Sequence, residues 1–116
     1  MRHVPFVLLL VVALVMQPAP SYATLVFGGT LSGANENPSN SSPGTGSVEV
    51  TLDLTAQTLE LDVIFSGLTV ADTMAHIHCC TPFGGNVGVA TTLPAFTGFP
   101  LGVTGIATPF DHVYSL

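Results

Sequence analysis

Two alternating runs separated by four residues constrain this chain more than anything else in it. Val48, Val50, Leu52 and Leu54 alternate with Glu49, Thr51 and Asp53; Leu59, Leu61, Val63 and Phe65 then alternate with Glu60, Asp62, Ile64 and Ser66. A strand turns successive side chains to opposite faces, so a period of two marks strands with one packed and one solvated face. The connection Thr55-Ala56-Gln57-Thr58 is short enough to make the pair an antiparallel hairpin. Its wet face carries Glu49, Asp53, Glu60 and Asp62 with no cation among them. A solvated acidic face is expected there, with a calcium site as the alternative.

The rest of the chain suits more strands. Apolar residues make up 47% of the 116, charged residues only 7%, and there are 12 Gly and 9 Pro, a composition that favours strands joined by turns over helices. That length is one domain, without room for a second packed core. Residues Thr24 to Gly33 read as a first strand, an edge strand with a bulge or kink at Gly28-Gly29. Residues 35–44 are rich in Asn, Ser and Pro and form a loop, in which Asn40-Ser41-Ser42 matches a glycosylation sequon. Thr73 to Cys79 reads as a strand, Val87 to Leu93 as a short one, and Val103 to Ile106 and Phe110 to Leu116 as the last two. Between them, residues 94–102 carry Phe96, Phe99 and Leu101, too apolar to hang free, and are expected to fold back as a lid over a core edge.

The N-terminus has the three parts of a secretory signal peptide. Met1-Arg2-His3 is a short positive start, Val4 to Met16 is an apolar run, and Ser21-Tyr22-Ala23 offers small residues at a cleavage site. Cleavage is expected after Ala23, giving a signal peptide over 1–23 and a β domain over 24–116. The alternative, an uncleaved anchor, would need roughly 20 apolar residues to span a bilayer. Export places the protein outside the cell or in the periplasm, an oxidising setting in which thiols pair. Losing Arg2 leaves seven acidic residues and no Lys or Arg, a net charge of −7 in place of −6. Nucleic acid and anionic membrane surfaces both need cationic side chains, so neither is an expected partner. An extracellular protein or glycan is.

Site chemistry is concentrated in Ala75-His76-Ile77-His78-Cys79-Cys80. On a strand His76 and His78 share one face, away from Ala75, Ile77 and Cys79, and their imidazoles can share Cu or Zn. Cys80, His112 and Glu36 are candidate third ligands. Two ligands alone make a weak site, and the alternative is a histidine bonded to loop backbone that fixes a turn. Cys79 and Cys80 have no third cysteine to pair with; a vicinal disulfide, reduced thiols, metal thiolates and an intermolecular bridge all remain open. No serine-nucleophile motif, carboxylate pair at catalytic spacing or phosphate loop is present. Gly84-Gly85-Asn86-Val87-Gly88 follows no βα pattern.

Four pieces, in order, resemble the CHRD (chordin) domain family, which is common among exported bacterial proteins. They are residues 31–38 (Leu-Ser-Gly-Ala-Asn-Glu-Asn-Pro), the Gly46 to Leu54 strand with its Thr58 to Leu68 partner, Ala75-His76-Ile77-His78, and residues 99–104 (Phe-Pro-Leu-Gly-Val-Thr). The resemblance implies an antiparallel immunoglobulin-like or superoxide-dismutase-like Greek-key sandwich or barrel and no established catalytic activity. Dismutase chemistry is not expected: the family analogy to a copper-binding His-x-His strand lacks further histidine matches here, and the mature chain has no arginine. Family members continue beyond the equivalent of Phe110 to Leu116 with at least one more strand, so a truncated C-terminal edge is expected.

Overall fold

The alternating runs form the centre of a four-stranded antiparallel sheet in the computed structural model, which describes residues 22–82 and 85–116. Strands β1 (Leu25–Ser32), β2 (Thr45–Asp53), β3 (Thr58–Ser66) and β4 (Phe110–Ser115) lie side by side in that order. A short 3-10 turn, Gly33–Asn35, follows β1. The signal-peptide assignment falls almost wholly on residues outside the described part.

The register explains why the sheet has a dry side. Leu25, Phe27 and Leu31 of β1 stand opposite Leu52, Val50 and Gly46 of β2. Leu52, Val50 and Val48 in turn oppose Leu59, Leu61 and Val63 of β3, which oppose Tyr114, His112 and Phe110 of β4. Directly opposed residues share a face, so the apolar phases of all four strands coincide. The other face carries a row of like charges, Glu49 opposite Asp62 and Asp62 opposite Asp111.

The all-β expectation holds, but the second layer is not a second sheet. Among the described residues there is one open sheet, and parts of 67–109 lie over its dry face. The core there is small: Leu61, Val63 and Phe96 are buried, and Ala75, Ile77 and Phe99 pack against them. The expected lid forms around its aromatic residues. Phe99 stacks with Phe65 at 6.2 Å and meets Phe110 edge-on at 5.1 Å, while Phe96 lies 5.7 Å from Tyr114, whose hydroxyl donates to the Thr97 carbonyl at 2.9 Å.

The expected strands at Thr73 to Cys79 and Val87 to Leu93 are extended segments held by isolated bridges, Ala75 to Ala95 and His78 to Val89. The physical reason is in the partners. Ala75 donates to the carbonyl of Pro94, which has no N–H to return, and Ile77 donates to the Thr91 hydroxyl instead of a carbonyl. A ladder cannot propagate through either. Val103 to Ile106 is likewise not a strand: it touches the end of β3 through Ile106 N–H to Phe65 O at 2.9 Å. Gly105 permits that approach, since a Cβ there would come within 2.8 Å of the Ser66 Cα.

Two details of the hairpin also depart from expectation. Gly28 and Gly29 pair in unbroken register with Glu49 and Val48, so β1 is a regular edge strand without a bulge. Leu54 leaves β2 and is exposed, because the Asp53 carboxylate accepts from the Thr55 and Ala56 amides, each at 2.8 Å, and folds the turn one residue early.

Candidate functional site

Between the dry face and the segment covering it lies a cleft of about 780 Å3. Its walls are apolar, from Phe27 and Leu31 on β1 through Val50 and Leu61 to Phe96 and Phe99. Glu36, Asp72, His76 and His78 are among its polar lining residues. The local structure that delivers each of them is different.

His76 and His78 arrive together on the extended segment after Gly67, which leaves β3 with φ 77. Their rings are 4.9 Å apart in an edge arrangement, with His76 half-buried and His78 exposed. His78 Nδ1 lies 2.6 Å from the carbonyl oxygen of Val87. A carbonyl only accepts, so Nδ1 carries the proton and, in the neutral ring, Nε2 is left as an acceptor. This contact is of the kind described above as the alternative to metal binding, a histidine bonded to loop backbone.

Asp72 was not singled out from the sequence, although it is the sole carboxylate between Asp62 and Asp111. Its Oδ1 accepts from the Val103 amide at 2.8 Å, and its backbone bonds Val103 and Gly102 at 2.9 Å. These bonds tie the start of the 67–109 segment to its far end. The second oxygen, Oδ2, is buried and has no hydrogen-bond partner among the described residues. A buried carboxylate oxygen left unpaired is costly, which makes it notable at a cleft wall.

The proposed metal ligands are not brought together as one set. Glu36, His76 and His78 line the same cleft, whereas His112 lies on β4 against Tyr114 at 4.5 Å and Phe110 at 6.0 Å. Cys80 is exposed and bridged to Cys79, with Cα atoms 3.8 Å apart and a left-handed φ of 76. In that bridge neither sulfur is a thiolate, so Cys80 offers no ligand. Among the described residues no group of three or more His, Cys, Asp or Glu side chains is placed to hold a metal ion. On the wet face Asp53 is engaged with the β2–β3 turn, and no calcium cluster forms there among those residues.

Fold and site together define an all-β domain with an open antiparallel sheet, one face of which shelters a ligand-sized apolar cleft. The chain belongs to the CHRD domain family, whose model matches residues 27–105, from β1 to just short of β4. No curated protein and no solved structure matches the chain.

Proposed function

We propose that this protein is an exported extracellular binding or structural module, not an enzyme, and that it engages an extracellular protein or glycan partner at the cleft. The observation that carries this reading is the cleft itself: about 780 Å3 with apolar walls, a volume within the range of sites that enclose ligands. Its polar residues serve to anchor loops, Asp72 to Val103 and His78 to Val87, which preorganises a surface. Membership of the CHRD family supports the same reading. Export with cleavage after Ala23 agrees with the three-part N-terminal pattern, and the Cys79–Cys80 bridge fits an oxidising compartment.

The test is to express the full chain in an exporting host and sequence the N-terminus of the protein in the medium, where Thr24 is expected as the first residue. The immobilised mature chain should then retain a partner from the native culture medium, and Met74→Trp should abolish retention. Met74 is exposed at the cleft, so a larger side chain there blocks it without disturbing the core. Protein held inside the cell, or equal retention by the variant, overturns the reading.

A second reading, weak Cu or Zn binding with a redox or storage role, is favoured by one observation. A neutral histidine whose Nδ1–H bonds a backbone carbonyl, as His78 does to Val87, is the form in which metal-bound histidines are commonly held.

A further inference from the structure

We infer that β1 is a self-association edge, onto which a second copy of this chain adds its own β1, antiparallel about a two-fold axis at Phe27. Sheet edges are normally guarded by charge, proline, a bulge or a covering segment, because their open backbone groups pair with any strand that reaches them. β1 has neither charge nor proline, keeps unbroken register with β2, and pairs with no other strand among the described residues. Its large side chains are exposed on both faces: Leu25 (43%), Phe27 (57%) and Leu31 (38%) on the dry side, Val26 (60%) on the wet side.

Two glycines in the strand indicate what lies beside it. Glycine inside a strand marks a bulge, a bend or the close approach of another group. Gly28 and Gly29 sit in no bulge, neither has a positive φ, and a Cβ on either would meet nothing nearer than 3.8 Å. No contact among the described residues requires them. Antiparallel pairing centred on Phe27 does use them. Leu25 of one copy then stands opposite Gly29 of the other, Val26 opposite Gly28, and Phe27 opposite Phe27, so bulky side chains lie against bare backbone and ring meets ring. At the far end of the strand, Asn35 Nδ2 donates to the Thr30 carbonyl at 2.8 Å. The open stretch is therefore residues 25–29, the five that this register pairs.

Charge selects this edge over the other. β4 carries Asp111, so pairing β4 with β4 would bring the acidic rows of two copies onto adjacent strands. Through β1 the nearest wet-face acids of the two copies are Glu49 and Asp53 on β2, three strand spacings or about 14 Å apart. That exceeds the Debye length of about 8 Å at physiological salt. Growth also stops at two, since a paired copy offers only its β4 edge. Phe27 lines the cleft as well, so the clefts of both copies open on the same face of one continuous sheet.

The experiment is sedimentation equilibrium of the mature chain. A five-residue edge buries less than the roughly 1,200 Å2 of a stable interface, so association is expected to be weak, and the range to cover is about 1 μM to 1 mM. The data should fit a monomer–dimer equilibrium with no larger species. Gly28→Lys should raise the dissociation constant at least ten-fold, because it fills the space opposite Val26 and sets two ammonium groups diagonally across the axis. Within its own copy the new side chain stands opposite Glu49, so the urea midpoint should not fall. Val113→Lys makes the same change in net charge at an exposed position on β4 and should leave the constant within two-fold. Cross-linking checks the register: Phe27→Cys should oxidise to a covalent dimer joined at residue 27, as mapped by peptide mass spectrometry, and Thr30→Cys should not. A dimer weakened by Val113→Lys and not by Gly28→Lys, or cross-linked by Thr30→Cys and not by Phe27→Cys, overturns the proposal. So do species larger than a dimer. Monomer throughout also overturns it and points to a strand of a different protein as the occupant of this edge.

Discussion

Asp62 on β3 stands directly opposite Asp111 on β4, two carboxylates paired across strands with no Lys or Arg in the described chain to separate them. Asp62 also faces Glu49 on its other side. Like charges directly opposed on a sheet are destabilising. Asp62→Asn is therefore expected to raise the urea midpoint without changing the slope. The gain should shrink as salt is added, because exposed charges are screened. A gain equal at low and high salt would point to another cause.

Leu61 is 1% exposed and sits at the centre of a core in which only Val63 and Phe96 are also buried among the described residues. Leu61→Ala is expected to cost about 2–5 kcal/mol, from lost burial and the cavity left behind. With so few other buried side chains, that loss should leave a large unfolded fraction at 25 °C. Val113→Ala, on the wet face of β4 and 55% exposed, should change stability by less than about 0.5 kcal/mol. Urea unfolding followed by far-UV circular dichroism separates the two.

Tyr114 has its phenol pKa raised by desolvation on burial, and its hydroxyl donates to the Thr97 carbonyl. A raised pKa in the folded state means that the native protein holds the proton more tightly than the unfolded chain. Its contribution is therefore present below the unfolded pKa of about 10 and is lost as pH rises through the folded value. Melting temperature should fall above pH 10 in the native protein. The fall should be smaller in Tyr114→Phe, which has no proton to lose.

The His76–His78 pair has no third protein ligand of the Cys, Asp, Glu or His type grouped with it among the described residues. Protein purified from a copper- and zinc-supplemented export host is expected to carry less than about a tenth of an equivalent of metal, since two imidazoles make a weak site. Stoichiometric metal, lost in His76→Ala with His78→Ala, would establish the metal-binding reading.

The hairpin and the all-β class were legible in the sequence because a period of two is a local signal: Val48 to Leu52 and Leu59 to Phe65 announce their faces without reference to the rest of the chain. The His76–His78 pair was legible for the same reason, since residues two apart in an extended segment stay side by side. Boundaries failed where a side chain intervened in backbone bonding, as Asp53 does at the turn and Thr91 does beside Ile77. Asp72 failed differently. Nothing near it in sequence says that Val103 will take one oxygen and leave the other buried in a cleft wall. The one-dimensional pattern determined which residues form strands and which side of each is apolar. What covers that side, and the meeting of Glu36, Asp72 and His76 at one cleft, was decided by the tertiary structure, because it depends on contacts between segments that only the path of residues 67–109 brings together.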